Sequence, residues 1–199
     1  MPCLSHVFWH DWYRTTIRKD MTNFILLDTE TTGLDESAEI VEIAVIDDAG
    51  NVLLDTLVKP QSPIPNSATA IHGITNAMVA SAPTYDQIHP QLVALLEQHT
   101  CYIYNSGYDV RLIRQSADLY GLSFDSRLYA FHCVMEDYAW RCNGDGSWSK
   151  LTSAYYHAKT ARNTPQIALS AHRALADCLM TLEVALYLAS LPAEEITSE

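Results

Sequence analysis

The feature that most constrains this chain is a pair of acidic residues at the end of a short apolar run. Residues 23–28 read NFILLD, the length of a buried strand, and Glu30 lies two positions after Asp28. Residues i and i+2 of a strand point to the same face, so the two carboxylates are predicted to lie side by side. Burying two such charges is costly, and residues 21–58 contain no lysine or arginine to offset them. A bound divalent cation, Mg²⁺ or Mn²⁺, resolves this conflict, because both ions accept carboxylate oxygens as ligands.

The patterns around this pair predict one sheet with helices packed on it. A turn at 48–51 joins two further strand patterns, so residues 23–59 form a predicted three-stranded antiparallel meander. Pro60, Pro63 and Pro65 then predict a loop without regular structure. Beyond the loop we expect a strand over 100–105 and helices over 84–98, 107–120, 126–142, 149–158 and 171–188. The predicted fold class is α/β, with a mixed sheet of the meander plus parallel strands, flanked by helices.

The composition indicates a single globular domain with a short segment at each end. The chain has 199 residues, with 24 Asp+Glu against 12 Lys+Arg and a net charge of −12. We predict a domain over residues 23–190, an N-terminal extension over 1–22 and a C-terminal tail over 191–199. The extension is either an amphipathic helix that docks on the domain or a partner, or an upstream addition from a misassigned start before Met21. The net charge argues against a protein that coats nucleic acid, but not against an enzyme that grips one strand end.

The cysteines and the apolar runs predict the compartment. The chain has five cysteines, an odd number, and no CxxC pair, so neither a disulfide framework nor a structural zinc site is indicated. Free thiols are typical of a reducing compartment. No apolar run approaches the roughly 18–20 residues that span a bilayer, and the N-terminus lacks a signal-peptide pattern. We therefore expect a cytoplasmic protein without a membrane partner.

Basic and aromatic residues each leave two interpretations open. Residues 20–110 contain thirteen acids and one base, whereas residues 111–173 contain eight bases and five acids. The basic half either forms ordinary solvated faces or supplies a surface that grips a strand. The tyrosines Tyr102, Tyr104 and Tyr108 either stack on bases or pack partly in the core and partly at the surface.

Three more polar residues fall at the ends of predicted elements. Asp109 opens the helix after the strand 100–105, where an acid also has an ordinary role in favouring the helix dipole. His172 and Asp177 are five residues apart, about 140° around an ideal helix, so they would not share a face. They converge if His172 lies at the helix entrance, with Ser170 as a candidate N-cap. Taken singly each residue has a structural explanation, but as a set they extend the acidic pair.

In chain order these segments resemble the DnaQ-like 3′–5′ exonucleases of the DEDDh type. They are DTETTGL from residue 28, HGIT from residue 72, N-x-x-x-D from residue 105 and H-x-x-x-x-D from residue 172. The resemblance covers about residues 23–190 and is closest to exonuclease X-like members, proofreading subunits and stand-alone phage enzymes. In this family Phe commonly precedes the acid at position 109 and His the asparagine at 105. Here Tyr108 and Tyr104 keep an aromatic ring at both positions.

The resemblance implies a ribonuclease H-like fold that holds two divalent metal ions, Mg²⁺ or Mn²⁺. It implies His172 as the general base, and as metal ligands Asp28, Glu30, Asp109 and Asp177. The substrate-binding residues that it implies are Thr31, Thr32, His72 and Asn105. Two ions about 3.5–4 Å apart can activate a water and hold the leaving oxygen of a phosphodiester. An imidazole can accept the proton of that water near neutral pH.

We therefore expect a metal-dependent 3′–5′ exonuclease that releases nucleoside 5′-monophosphates from DNA, with single strands as the predicted substrate. The alternatives are a 3′–5′ exoribonuclease and a non-catalytic nucleic-acid-binding module of the same fold. An accessory role beside a polymerase or repair partner is compatible with the first prediction. The chain is expected to be a monomer or a homodimer. Because the sequence has no G-x-x-x-x-G-K-[ST], G-x-G-x-x-G or G-x-S-x-G motif, other nucleotide or hydrolase chemistries lack support.

Overall fold

The computed structural model describes residues 23–165, 169 and 171–192. The predicted extension 1–22, Ser170 and residues 193–199 of the predicted tail lie outside the described residues. The boundaries of the domain therefore stay a prediction.

A five-stranded mixed sheet organises the described chain. Its strands are β1 (Phe24–Thr31), β2 (Ile40–Asp47), β3 (Val52–Leu57), β4 (Thr100–Ile103) and β5 (Phe131–Cys133). The strand order is β3-β2-β1-β4-β5. The pairs β1–β2 and β2–β3 are antiparallel, whereas β1–β4 and β4–β5 are parallel. The predicted meander and the predicted mixed sheet are both confirmed.

The turn between β2 and β3 shows how local chemistry builds the meander. The Asp47 carboxylate accepts hydrogen bonds from the backbone N–H of Ala49 at 2.9 Å and of Asn51 at 2.8 Å. Gly50 has a φ of 86°, a left-handed conformation that glycine adopts without steric cost. On its other side β2 pairs with β1, and its Glu42 lies opposite Glu30.

Helices flank the sheet on both faces. Those of the described residues are α1 (Asn66–His72), α2 (Asn76–Val79), α3 (Tyr85–Gln98), α4 (Ser106–Leu119), α5 (Val134–Tyr138), α6 (Leu151–Ala161) and α7 (Ala174–Ser190). A 3₁₀ turn covers Ser126–Leu128, and a π-helical turn over Ala139–Asn143 continues α5. Helix α3 begins with a capping box between Thr84 and Gln87 and runs on through Pro90.

Two regions differ from the predicted elements. The proline-rich loop is followed by α1 and α2, which were not predicted. Residues 126–142, predicted as one helix, instead hold the 3₁₀ turn, β5, α5 and the π-helical turn. The strand in this region is only three residues long and gains its hydrogen bonds from β4. A segment that short carries too little periodicity to be told from a helix.

The alternation of side chains along β1 feeds two apolar layers. Leu26 packs in the layer with α6 and α7, and Ile25 packs in the layer with α3 and α4. By the same alternation Asp28 and Glu30 continue the face that meets α7, while Thr29 continues the face that meets α4. The sheet therefore presents the acidic pair to the last helix of the domain.

Candidate active site

The acidic pair of β1 meets the start of α7. Potential ligand atoms of Glu30, His172 and Asp177 all lie within 4.8 Å of one another. Asp177 lies in the first turn of α7, and exposed His172 lies just before that helix. The His172 backbone N–H donates to Asp177 Oδ1 at 3.3 Å. Two distant segments of the chain thus contribute to a group able to hold a metal ion.

The five-residue spacing of His172 and Asp177 is resolved because His172 is not part of the helix. Its φ of 64° is left-handed, a conformation that few non-glycine residues adopt. Helix α7 begins at Ala174, with Arg173 as its N-cap. The turn at His172 brings it back to Asp177, as predicted for a histidine at the helix entrance.

Asp109 approaches the acidic pair from α4. It lies in the first turn of that helix and is 4% exposed. The Thr29 hydroxyl donates to Asp109 Oδ1 at 2.7 Å. Because Thr29 stands between Asp28 and Glu30 in β1, this bond ties Asp109 to the strand that carries both carboxylates.

Burial and mutual repulsion shift the pKa of all four predicted metal ligands upward. Burial raises the pKa of Asp28 well above its usual range, and repulsion from Asp109, Asp177 and Glu30 raises it further. The same two causes raise the pKa of Glu30 to about 8. Burial raises the pKa of Asp109 to about 7 and that of Asp177 to about 6. The carboxylates are therefore close enough to disfavour one another's ionised form.

This donor set fits divalent cations. Carboxylate oxygens are the ligands that Mg²⁺ and Mn²⁺ prefer, and the charge of such ions would favour the ionised form of each acid. Four carboxylates would match the four positive charges of two ions. His172 lies within the metal-capable group. Its predicted role as general base, and the assignment of the individual ligands, stay predictions.

An ion pair that the sequence analysis did not identify lies beside this group. Glu42 of β2 is 3% exposed, and its carboxylate accepts from Arg173 Nε at 3.1 and 3.0 Å and from Nη2 at 2.5 Å. One signal was available, since Glu42 is the only charged residue in the run Ile40–Ile46 of a strand that is otherwise apolar and buried. Arg173 gave no signal, because its partner lies 131 positions away in the sequence.

Two predicted substrate-binding threonines are buried at the end of β1. The Thr31 hydroxyl donates to the Gly33 carbonyl at 2.8 Å and lies 2.6 Å from the Tyr108 hydroxyl. The Thr32 hydroxyl accepts from the Glu39 backbone N–H at 2.9 Å. Both side chains thus shape the loop that follows β1, and their contact with substrate stays a prediction.

His72, the third predicted substrate-binding residue, braces the same loop. Its Nδ1 accepts from the Ile74 N–H at 3.0 Å, so Nε2 carries the proton that points to the Thr31 carbonyl 3.2 Å away. Burial lowers the pKa of His72, which keeps the ring neutral. The structure shows this bracing role, and a direct contact with substrate stays a prediction.

Asn105, the fourth predicted substrate-binding residue, is exposed at the N-cap of α4, where its side chain makes no capping hydrogen bond. The neighbouring Tyr104 and Tyr102 are each 7% exposed and pack in the core with α7. Buried rings cannot stack on bases, so the packing interpretation holds for these two. Tyr108 is half-buried, and its hydroxyl donates to the Gly33 carbonyl at 3.0 Å.

Helix α4 also holds the loop after β1 from outside. Arg111 donates from Nη2 to the Leu34 carbonyl and from Nη1 to the Asp35 carbonyl, each at 3.2 Å. Its guanidinium carbon lies 5.2 Å from the centre of the Tyr108 ring. These bonds hold the backbone of the loop, and the Leu34 side chain is 80% exposed.

Most of the basic residues in the second half of the chain have partners within the protein. Arg111 binds the loop carbonyls. Ion pairs within 4.0 Å engage a further five: Arg127, Arg141, Lys159, Arg162 and Arg173. For these residues the arrangement favours ordinary stabilising roles over a broad strand-gripping face. Within the described residues, no helix combines the length and apolar character needed to cross a membrane.

Comparisons with known proteins agree with this geometry. A family model described as Exonuclease (RNase_T) matches residues 25–185. The uncharacterized exonuclease CP81 of Escherichia phage 186 is 47% identical over 169 residues, which are 80% of this chain and 84% of the phage protein. A DNA polymerase III subunit epsilon-like protein of Rhodobacter capsulatus is 37% identical over 115 residues, 54% of this chain. That match spans only 16% of the Rhodobacter protein.

Solved structures share the fold. Exonuclease X in complex with 5′ overhanging duplex DNA is similar with a TM-score of 0.61 and 27% identity, over 85% of this chain and 95% of that chain. Exonuclease I is similar with a TM-score of 0.63 and 19% identity, over 81% of this chain and 39% of that chain, a likeness of fold alone. These neighbours confirm the predicted ribonuclease H-like α/β fold.

Proposed function

The chain belongs to the DnaQ-like exonuclease family and is a 3′–5′ exonuclease, and on this premise we propose that it removes nucleotides from DNA strands with the help of divalent metal ions. The convergence of Glu30, His172 and Asp177 carries the proposal. Asp28 and Asp109 belong to the same electrostatic group. The alternative of a pure binding module would give no reason to bury mutually repelling acids at one point.

The four carboxylates would hold two ions, Mg²⁺ or Mn²⁺. When bound, such ions would neutralise charge that develops on the phosphate and lower the pKa of the attacking water. Asp28 and Glu30 are fixed by the sheet, Asp109 by its bond to Thr29, and Asp177 by the first turn of α7. Because each ligand stands on a regular element or is tied to one, the site is preorganised.

His172 would act as the general base. Its exposed imidazole reaches the acidic group from the solvent side, where a water can arrive. Hydrolysis joins the water oxygen to phosphorus and breaks the bond between phosphorus and the 3′ oxygen of the preceding nucleotide. His172 accepts the proton of the water, and the 3′ oxygen ends protonated. The product is a nucleoside 5′-monophosphate and a strand that is one nucleotide shorter.

The predicted substrate-binding residues would act through the loop after β1. Thr31, Thr32 and His72 set the path of its backbone, and Asn105 stands exposed at the start of α4. We propose that the terminal nucleotide lies between this loop and Asn105.

The proposed substrate is the 3′ end of single-stranded DNA, with RNA as the alternative. Among the described residues between 111 and 173, few basic side chains lack a partner within the protein. This supports binding of a short strand end and not of a long stretch of duplex. Exonuclease X was solved with 5′ overhanging duplex DNA. A recessed 3′ end is therefore a second candidate substrate for this chain.

The proposal extends to partners and to the compartment. The likeness to an epsilon-like polymerase subunit favours a polymerase or repair partner. The four described cysteines, Cys101, Cys133, Cys142 and Cys178, are free thiols, which favours the cytoplasm. A monomer and a homodimer both remain compatible with the proposal.

The test uses 5′-labelled oligonucleotides of one sequence as single-stranded DNA, single-stranded RNA and a duplex with a 5′ overhang. Each is incubated with Mg²⁺ or with EDTA. We expect a ladder that shortens from the 3′ end, fastest on single-stranded DNA and only with metal. Asp177→Ala should abolish it, while Asp118→Ala, which removes an exposed acid on α4, should not. Preference for RNA would overturn the DNA assignment, and metal-independent binding without cleavage would overturn the catalytic one.

A further inference from the structure

We propose that Glu42 and Arg173 form a positioning pair that holds His172 in its left-handed conformation over the acidic group. The inference rests on the proposed function, because it assigns the pair to the general base of that reaction. Glu42 lies outside the sequence segments that identify the family, and Arg173 occupies an unspecified position within H-x-x-x-x-D.

Glu42 anchors the pair inside the sheet. It lies in β2 opposite Glu30 and is 3% exposed. A buried carboxylate in a central strand is stable only with full compensation. Arg173 supplies it through Nε and Nη2, in a two-pronged arrangement that fixes direction as well as distance.

The same carboxylate also fixes the first turn of α7. Glu42 Oε2 accepts from the Ala174 backbone N–H at 2.9 Å. Glu42 of β2 therefore caps the N-terminus of α7, a role that a Ser or Asp side chain next to the helix usually has. The side chain of Arg173 and the backbone of Ala174, two consecutive residues, are thus bound to one group of the sheet.

This anchorage explains how His172 keeps an uncommon backbone conformation. A non-glycine residue with a φ of 64° persists only where its surroundings over-determine it. After His172 the chain is pinned at Arg173 and Ala174, and its own N–H is held by Asp177 Oδ1. Without the Glu42 bonds the chain could relax to a negative φ and turn the imidazole away from Glu30.

The pair does not compete with the four carboxylates for metal ions. Both oxygens of Glu42 already accept hydrogen bonds, and its charge is matched by the guanidinium of Arg173. The group then keeps four uncompensated carboxylates for two divalent ions. Glu42 and Arg173 are accordingly positioning residues and not ligands.

The test is a double-mutant cycle between the pair and His172. The variant Glu42→Gln/Arg173→Gln removes the ion pair without leaving a charge unpaired, and Gln can still accept from Ala174. In the wild-type background we expect kcat on single-stranded DNA to fall by about 10–100-fold, with KM changed less than about twofold, as for a misplaced catalytic group. In the His172→Ala background the same double substitution should cost less than about twofold, because no imidazole remains to be positioned.

Three results would overturn the proposal. A full additional loss in the His172→Ala background would mean that the pair acts on the metal site or on the fold. A rise in KM with unchanged kcat would mean that Arg173, whose side chain is 44% exposed, instead binds a phosphate. A fall in Mn²⁺ affinity measured by calorimetry would mean that Glu42 serves the metal ions. The melting temperature, measured in both backgrounds, separates each result from simple unfolding.

A measurement that does not depend on catalysis distinguishes the failure of this proposal from the failure of the proposed function. In NMR spectra of the full chain the His172 amide and imidazole signals should be single in the wild type and broadened or multiple in Glu42→Gln/Arg173→Gln. Unchanged His172 signals would reject the positioning role even if the enzyme is active. An inactive wild type with a His172 signal that depends on the pair would reject only the exonuclease assignment.

Discussion

Single residues at the site carry charges that the folded chain alone does not balance. The pKa of Glu30 reaches about 8 and that of Asp109 about 7, because both acids are buried beside other acids. A carboxyl group with a raised pKa binds its proton more tightly in the folded state than in the unfolded state. Its contribution to stability is therefore present at low pH and is lost as the pH rises through the folded pKa.

From this sign we predict that the metal-free protein loses stability as the pH rises from about 5 to about 8. Mg²⁺ should raise the melting temperature more at pH 8 than at pH 5.5, since it replaces the protons. Melting curves in EDTA and in Mg²⁺ over this range measure both effects. Asp28→Asn/Asp177→Asn should flatten the EDTA curve. A metal-free protein that gains stability toward pH 8 would contradict the electrostatic account.

The second prediction for a single residue concerns the Thr29 hydroxyl. Its bond to Asp109 orients that carboxylate and lowers the pKa of Asp109 against the larger effect of burial. We expect Thr29→Val, which keeps the shape of the side chain, to weaken Mn²⁺ binding and lower kcat by about 3–30-fold. Thr56→Val on β3, whose hydroxyl donates to the Leu57 carbonyl away from the site, is the matched control. Equal behaviour of the two variants would remove Thr29 from the account.

Among the elements, α4 acts on both sides of the end of β1. Asp109 enters the acidic group from its first turn, and Arg111, two residues further, holds the carbonyls of Leu34 and Asp35. The helix therefore couples the metal-capable group to the loop beside it. A loop that is already held in place loses less conformational entropy when a strand binds, so the free-energy cost of binding is smaller.

We predict that Arg111→Ala raises KM for single-stranded DNA by about 5–20-fold with a smaller change in kcat. Arg114→Ala removes an exposed charge from the same helix and should leave KM within about twofold. Steady-state kinetics on one labelled oligonucleotide compares the two variants. An equal rise in KM would show that net charge, not the loop, is responsible.

At this scale the sequence predicts long elements better than short ones. The meander, α3, α4 and α7 each have a clear period over many residues, and the structure contains all of them. Strand β5 has three residues and forms only because β4 offers a free edge. Helices α1 and α2 follow a proline-rich stretch that predicts a loop. Both helices are too short for their periodicity to outweigh that signal.

Across the whole molecule, acidity and internal pairing limit how strongly the chain attracts nucleic acid. The net charge is −12, and six of the eight bases between residues 111 and 173 bind groups of the protein itself. Single-strand binding loses about 0.7 in log K per phosphate neutralised for each tenfold rise in salt. Few phosphate contacts therefore mean a shallow dependence on salt.

We predict a slope of log kcat/KM against log salt between about −1 and −3. The measurement varies KCl at fixed Mg²⁺ on single-stranded DNA. A slope steeper than about −5 would show that the chain grips a long stretch of backbone, which the described surface does not support.

Most residues of the candidate site could be proposed from the sequence, and their individual roles stay predictions. Asp28, Glu30, Asp109, His172 and Asp177 all stand at ends of elements, where a family pattern is visible without knowing the fold. The Glu42–Arg173 pair was not predicted, because a contact between residues 131 positions apart exists only once β2 and α7 are packed. The left-handed φ of His172 was likewise outside what spacing alone specifies.

The most direct test of the central claim follows the fate of water in the reaction. Single-stranded DNA with a 5′ label is digested in H₂¹⁸O with Mg²⁺, and the released mononucleotides are analysed by mass spectrometry. The account predicts nucleoside 5′-monophosphates, each with one ¹⁸O in its phosphate, released in order from the 3′ end and absent with EDTA or Asp177→Ala. Release of nucleoside 3′-phosphates, internal cleavage, or equal release in EDTA would contradict a metal-dependent 3′–5′ exonuclease built on these carboxylates.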